Sequence, residues 1–299
     1  MTKLSIIIVN YNTKDLLINL LDSLKKAISV CAENKFEIQT IVVDNNSHDK
    51  SVSAIKNRFN WVEIIQNKEN LGFSKANNAG ILDSKGELVL LLNSDTVVFP
   101  QTLYKIIKFM DDNPLAGAMT CRVELSKGNI DPASHRGFPT PWNAFCYFSG
   151  LEKIFSKSKL FSGYHQGWKN LKETHQIDAC SGAFLLTRKE VISKIGFLDE
   201  DFFMYGEDID FCFRVKKAGF NILYYPNTKI IHYKGQSGRK KTSNNEIGND
   251  VSKEIKKTSK LNFYGTMKLF YEKHYKDKYP CLIFWLVLSG IWLVSKVRK

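Results

Sequence analysis

The residues of this 299-residue chain best suited to chemistry are carboxylates that follow apolar runs, and the sharpest of them is Asp95. It closes the stretch Glu87-Leu88-Val89-Leu90-Leu91-Leu92-Asn93-Ser94-Asp95, whose short apolar run reads as a strand buried on both faces of a parallel sheet. In open α/β sheets ligands lie outside the carboxyl ends of the strands, so Asp95 stands where a ligand would be. A carboxylate there can hold a hard cation such as Mg²⁺, whose usual partners are one or two carboxylates and substrate phosphates. It can equally cap the turn that follows. Asp44 ends a second apolar run. It could accept the N3–H of a uracil or thymine ring with Tyr11 stacked on the base, or cap the following turn with Ser47. Glu207 and Asp208 follow the aromatic run Phe202-Phe203-Met204-Tyr205 and Gly206, in the first turn of a helix, where the dipole favours acids. A carboxylate lined by aromatic rings can also act as a general base. Asp210 and Arg214 have the i, i+4 spacing of a helical ion pair. His232, at the end of another strand, is either a hydrogen-bonded structural residue or a second ligand beside Asp95.

The elements that must position these groups alternate. Leu4 to Val9 is a β-branched strand ending at Asn10-Tyr11-Asn12, followed by a helical stripe to about Val30 that Asn12 or Thr13 can cap. Glu37–Val43 is the next strand, with a helix to about Phe59; Trp61–Gln66 is the third. The loop Asn70-Leu71-Gly72-Phe73 then opens a helix running through Leu82. Gly72 allows close backbone approach and could offer a helix N-terminus to phosphate, or be an ordinary turn glycine. After the Glu87–Leu92 strand come a helix through Met110 and an extended Leu115–Leu125. Ser126 to Thr174 has no clear period; its aromatics, among them Trp142, Phe145 and Tyr164, either line an acceptor groove or pack on one another. Asn221–Tyr225 and Lys229–Tyr233 read as two further strands. The alternation predicts an α/β fold, a mixed Rossmann-like nucleotide-binding sheet flanked by helices.

Composition narrows the partners. With 43 basic and 30 acidic residues the net charge is +13, which suits a nucleotide, a nucleic acid or an anionic membrane. The six cysteines are scattered without zinc spacing and read as thiols of a reducing compartment. No secretory pattern precedes the first strand, so the cytoplasmic side is expected. Neither a dinucleotide glycine fingerprint nor a P-loop occurs.

Taken in order, Ser5–Asn12, Val42–Ser47, Asn70–Phe73, Asn93-Ser94-Asp95, Gly182-Ala183, Glu207-Asp208 and His232 resemble the motif series of the family 2 glycosyltransferases of GT-A fold, over about Leu4 to Gly238. Within it the chain is most similar to the bacterial branch of rhamnosyltransferases and other transferases of surface-polysaccharide assembly. The resemblance implies an inverting, non-processive transfer from a UDP- or dTDP-sugar, dTDP-rhamnose included, to a saccharide or lipid-linked acceptor. It implies that Asn10, Tyr11, Asn12, Asp44, Asn70, Gly72, Asn77, Asn93 and Ser94 lie on the nucleotide-sugar side. It makes Asp95 and His232 ligands of Mg²⁺ or Mn²⁺, Gly182 and Ala183 part of the acceptor side, and Asp208, with Glu207 beside it, the catalytic base. Asn93 departs from the family's Asp-x-Asp, and Asn10 replaces a common Thr or Ser. The processive synthases' Gln-x-x-Arg-Trp motif is absent from the sequence.

The expected organisation is a catalytic domain over 1–238, a basic helical linker over 239–279 with a helix from about Asp250 to Tyr275, and an apolar tail over 280–299. From Pro280 to Val294 the tail is apolar all round and is closed by Lys296, Arg298 and Lys299. It falls short of the roughly 20 residues that span a bilayer. Peripheral attachment to the anionic cytoplasmic face of the inner membrane is the expectation, and a helix packed into a dimer interface or the core is the other reading. Nucleic acid is not an expected partner. The alternative from a different class is a catalytically degenerate or non-enzymatic basic protein that binds anionic lipid or nucleic acid.

Overall fold

The computed structural model describes residues 2–234 and 263–297. In chain order the elements are β1 (Leu4–Asn10), α1 (Lys14–Glu33), β2 (Ile38–Asp44), α2 (Ser51–Arg58), β3 (Glu63–Gln66), α3 (Gly72–Leu82), β4 (Leu88–Leu92) and β5 (Thr96–Val98). There follow α4 (Thr102–Asp112), β6 (Ala116–Leu125), α5 (Pro141–Ser149), α6 (Leu151–Ile154), β7 (His175–Ile177), β8 (Phe184–Arg188), α7 (Lys189–Ile195), α8 (Glu207–Lys217) and β9 (Asn221–His232). Residues 263–274 form α9, and Cys281–Val297 form α10. The helix expected over Asp250–Tyr275 lies partly outside the described residues.

One mixed sheet runs β3-β2-β1-β4-β8-β6-β9-β5, with β7 also on β9. Its first four strands are parallel, and β8 enters antiparallel to β4. Alternation along β1 sorts the two layers, since neighbouring side chains of a strand point to opposite faces. Leu4, Ile6 and Ile8 join Leu17, Leu20, Leu21 and Leu24 of α1, whereas Ile7 joins Ala76 and Ile81 of α3 on the other face. Each such fully buried aliphatic side chain stabilises the fold by about 1.5–3 kcal/mol. A third cluster, with Phe202, Phe270, Tyr271, Tyr275, Phe284 and Ile291, docks α9 and α10 beside α8.

Three readings of the sequence change. The two strands expected over Asn221–Tyr233 are one, β9, paired along β6 with a register irregularity at Cys121/Arg122 that accommodates Pro226 and its neighbours. The short β5 was hidden by its three-residue length. Thr13 occupies the N-cap position of α1, but its hydroxyl does not cap. It turns to Asn10 and Ser94, and Asp49 of the next loop accepts the Lys14 N–H instead, at 2.8 Å.

Candidate active site

The parallel strands β1 and β2 end in register, Asn10 opposite Asp44. Asn10 is fully buried, and its amide donates to Asp44 Oδ1 at 2.7 Å and Ser51 Oγ at 2.8 Å. Asp44 Oδ2 accepts the Ser47 N–H at 2.9 Å, the turn-capping contact that the spacing allowed. Asn10 thus bears on the site through Asp44, whose carboxylate it orients. Tyr11 is 45% exposed, leaving its ring open to a partner. Asn12 (φ 54), Asn46 (φ 64) and Lys50 (φ 65) take left-handed backbone conformations in these two loops, and Asn12 Oδ1 accepts the His48 N–H at 2.8 Å. Such strained non-glycine residues cluster at ligand-binding loops.

The loop before α3 is tied to the same edge. Asn45 donates to the Gly72 carbonyl at 2.9 Å, and Asn70 Oδ1 accepts the Gly72 N–H at 3.0 Å. Gly72 has φ +82, and a Cβ there would lie 2.5 Å from the Phe203 carbonyl oxygen. The close approach that the sequence suggested is therefore made to protein backbone, with the Phe73 N–H donating to that same carbonyl at 2.7 Å. Asn77 is buried within α3 and donates back to the Phe73 carbonyl at 2.9 Å. Gly182 meets the Phe73 ring, 2.9 Å from where a Cβ would sit, and the Ala183 carbonyl accepts the Asn93 N–H at 3.3 Å. Ser94 accepts from the Thr13 hydroxyl at 2.9 Å.

Asp95 and His232 meet. They are brought together by the antiparallel pairing of β5 with β9, in which Thr96 stands opposite His232. His232 Nε2 is 3.2 Å from Asp95 Oδ1, and its Nδ1 is 2.9 Å from Asp131 Oδ2. Asp131, fully buried, also accepts from Lys234 Nζ at 2.8 Å. Burial opposes charge on the imidazole, but the hydrogen bonds to Asp131 and Asp95 outweigh it and raise its pKa to about 9. Burial would likewise raise the Asp131 carboxyl; hydrogen bonds from His232 and Lys234 hold it far below the usual carboxylate range. A divalent cation could take this place only by displacing the Nε2 proton of His232, after which Asp95 and His232 could both face it. A carboxylate on one ring nitrogen is what fixes the tautomer and turns the other nitrogen toward a metal. Among the described residues no cage of three or more His, Cys, Asp or Glu side chains is assembled.

Elsewhere in the molecule, Gly206 (φ +87) turns the chain into α8, so that Glu207 and Asp208 open the helix as expected. Asp208 Oδ2 is 2.8 Å from Arg136 Nη2, both side chains nearly buried. Arg136 also donates to the Cys180 carbonyl at 3.3 Å, just before Gly182 and Ala183. Glu207 faces the interior, and its Oε2 has no hydrogen-bond partner among the described residues. Burial, then repulsion from Asp208, push its pKa up to about 8. The pair expected between Asp210 and Arg214 is present at 2.7 Å.

Asp131 and Arg136 escaped the reading of the sequence, whereas Asn45 stood within the Val42–Ser47 motif without a role of its own. Asp131 and Arg136 lie in the aperiodic stretch after Ser126, whose glycines and prolines, the Asp131-Pro132 step among them, signal turns but no partner.

Residues 5–196 match the Glycosyl transferase family 2 profile. The chain is 26% identical over 213 residues to the N-acetylglucosaminyl-diphospho-decaprenol L-rhamnosyltransferase of Mycobacterium tuberculosis, covering 67% of this chain and 68% of that one. It is 26% identical over 243 residues to rhamnosyltransferase WbbL of Escherichia coli, covering 78% and 84%. Among solved structures it resembles the mannosyltransferase PcManGT of Pyrobaculum calidifontis, determined with GDP-Man and Mn²⁺: TM-score 0.58, 15% identity, 99% of this chain and 70% of that chain. The chain spans only 39% of the Staphylococcus aureus TarS structure that it also matches. A sheet of GT-A type, the ordered loops at its strand ends and the profile match over most of the sheet agree: this chain belongs to glycosyltransferase family 2.

Proposed function

We propose that this glycosyltransferase moves a sugar, with inversion, from a UDP- or dTDP-sugar to a saccharide or lipid-linked acceptor of bacterial surface polysaccharide, with dTDP-rhamnose the favoured donor. The observation that carries the reading is the meeting of Asp95 with His232, backed by Asp131, at the carboxyl end of β4. The two rhamnosyltransferase relatives support the choice of donor, and the diphospho-decaprenol in one printed name supports a lipid-linked acceptor.

In this reading Asp44 accepts the pyrimidine N3–H while Tyr11 covers the ring, and Asp95 and His232 hold Mg²⁺ or Mn²⁺. The cation, when bound, offsets negative charge on the departing diphosphate as a Lewis acid. Asp208, aimed by Arg136, accepts the proton of the acceptor hydroxyl as that oxygen bonds to the anomeric carbon. The bond from that carbon to the diphosphate breaks on the opposite face, its electron pair leaving with the nucleoside diphosphate. Glu207, kept neutral by burial, avoids a second anion beside the base. The apolar tail keeps the protein at the cytoplasmic membrane surface, where a lipid-linked acceptor lies.

Transfer from dTDP-rhamnose and UDP-sugars, with Mn²⁺ or with EDTA, tests this. Asp208→Asn should lower the rate per folded molecule by about 10²–10⁴-fold while nucleotide binding persists. Because it leaves Arg136 without its carboxylate, the variant should also lose stability, so rates are compared at equal folded fraction. Turnover of Asp208→Asn at the wild-type rate, or transfer indifferent to EDTA, would refute the assignment.

A further inference from the structure

Two exposed apolar surfaces lie outside the site. On α10, Phe284, Val287, Leu288 and Ile291 pack inward at helical spacing, while Leu282, Trp285, Leu286, Trp292 and Leu293 face out. Trp285 and Leu286 are each 63% exposed. The second surface is the α5–α6 hairpin, where Trp142, Phe145, Ile154, Phe155 and Leu160 are exposed. Its rings pack at tilted angles, Trp142 on Phe145 and on Phe161, and Trp142 satisfies its indole N–H on the Leu160 carbonyl at 2.7 Å. What remains outward is apolar. The two surfaces adjoin, for Thr140, Pro141 and Trp142 share a groove with Tyr279 and Ile283.

We propose that α5–α6 and α10 together form one platform that lies in the surface of an anionic lipid bilayer. At 17 residues α10 is about 25 Å long at 1.5 Å per residue, shorter than a hydrocarbon core. No helix among the described residues is long and apolar enough to cross a membrane. A helix with one face packed on protein and the other bearing tryptophan and leucine suits the interface instead. Charge selects the partner. The hairpin and the turn after it carry exposed Lys153, Lys157 and Lys159, the acid Glu152 being buried; Lys296 flanks the outer face of α10, and Lys268 lies beside it, paired with Glu272 at 3.6 Å. A second copy docked face to face would bring these lysines together, whereas anionic headgroups neutralise them.

The platform extends the tail attachment proposed above to the α5–α6 hairpin and rests on the proposed lipid-linked acceptor for its purpose. Thr140 follows Arg136 by four residues, and Tyr271 holds the intervening Pro139 carbonyl at 2.5 Å. The segment that aims Asp208 is thus continuous with the surface that would meet the bilayer.

The test is sedimentation of the full chain with vesicles of phosphatidylglycerol and phosphatidylethanolamine, without donor or acceptor, so that its outcome is separate from that of the transfer assay. Trp142→Glu/Phe145→Glu should weaken binding about a hundredfold, as should Trp285→Glu/Leu286→Glu, given what two buried apolar side chains contribute. Both variants should keep metal-dependent donor hydrolysis. A chain with Trp61, Trp168, Trp285 and Trp292 replaced by Phe, leaving Trp142, should be quenched by brominated lipid in such vesicles. Wild-type affinity in the hairpin variant, or an unquenched Trp142 where a Trp292-only chain is quenched, would confine contact to the tail and overturn the platform. A wild-type dimer that ignores vesicles and dissociates on either double substitution would overturn it in favour of a self-interface.

Discussion

Glu207 and Asp208 are neighbours in the first turn of α8, yet Asp208 faces the Arg136 guanidinium and Glu207 faces the protein interior. Adjacent acids whose surroundings differ in this way take different tasks, one carrying charge and the other staying neutral. The difference has a consequence for stability. Glu207 has a folded pKa of about 8, above the ordinary value of 4.5, so the folded state favours its protonated form. Its contribution is therefore full below pH 4.5, erodes as the pH rises, and is lost above about 8. Between pH 6 and pH 9 the wild-type Tm should fall by several degrees, at about 2–4 °C per kcal/mol for a domain of this size. Glu207→Gln cannot ionise and should show a flatter slope over that interval. Thermal unfolding of both proteins at the two pH values measures the difference, and parallel slopes would mean that Glu207 does not titrate there.

At the scale of elements, the site is made by loops that pin one another. At Gly72 the left-handed backbone and the nearby Phe203 carbonyl both exclude a side chain. Gly72→Ala should destabilise the fold by about 1–3 kcal/mol and displace the Phe203 segment that leads into Glu207 and Asp208. Urea unfolding checks the first effect and a fall in transfer rate the second; unchanged values for both would deny that the loop is constrained. Much of this scale was legible in the sequence. Apolar runs ending in Asn or Asp announced β1, β2 and β4, and Gly206 announced the start of α8, since strand period and turn residues are local signals. Contacts made by tertiary pairing were not. The three residues of β5 carry no period, although their register with β9 is what sets Asp95 against His232. Asp131 and Arg136 reach their partners across 101 and 72 positions of chain, which no local spacing encodes. For the tail, apolar all round, the sequence left open a helix packed into the core, and one of its faces does pack there.

For the molecule as a whole, the last two helices are structural as well as superficial. Phe284 and Ile291 of α10 are buried with Phe270 and Tyr275, and the same cluster includes Phe202 and touches Ile209 and Phe213 of α8. His274 adds a 2.6 Å contact to Asp210, on the helix that carries Asp208. The tail is therefore a poor candidate for simple removal. Truncation after Tyr279 would uncover Phe270 and Tyr275 while deleting two buried side chains, a loss of about 3–6 kcal/mol at about 1.5–3 kcal/mol each. Trp285→Glu/Leu286→Glu alters only the outer face and should leave unfolding within about 0.5 kcal/mol of wild type, as exposed substitutions generally do. Denaturant unfolding of the two variants separates a packed helix from a free anchor. A truncated chain as stable as wild type would show that α10 contributes nothing to the fold. A double variant as unstable as the truncation would show that its outer face is packed as well.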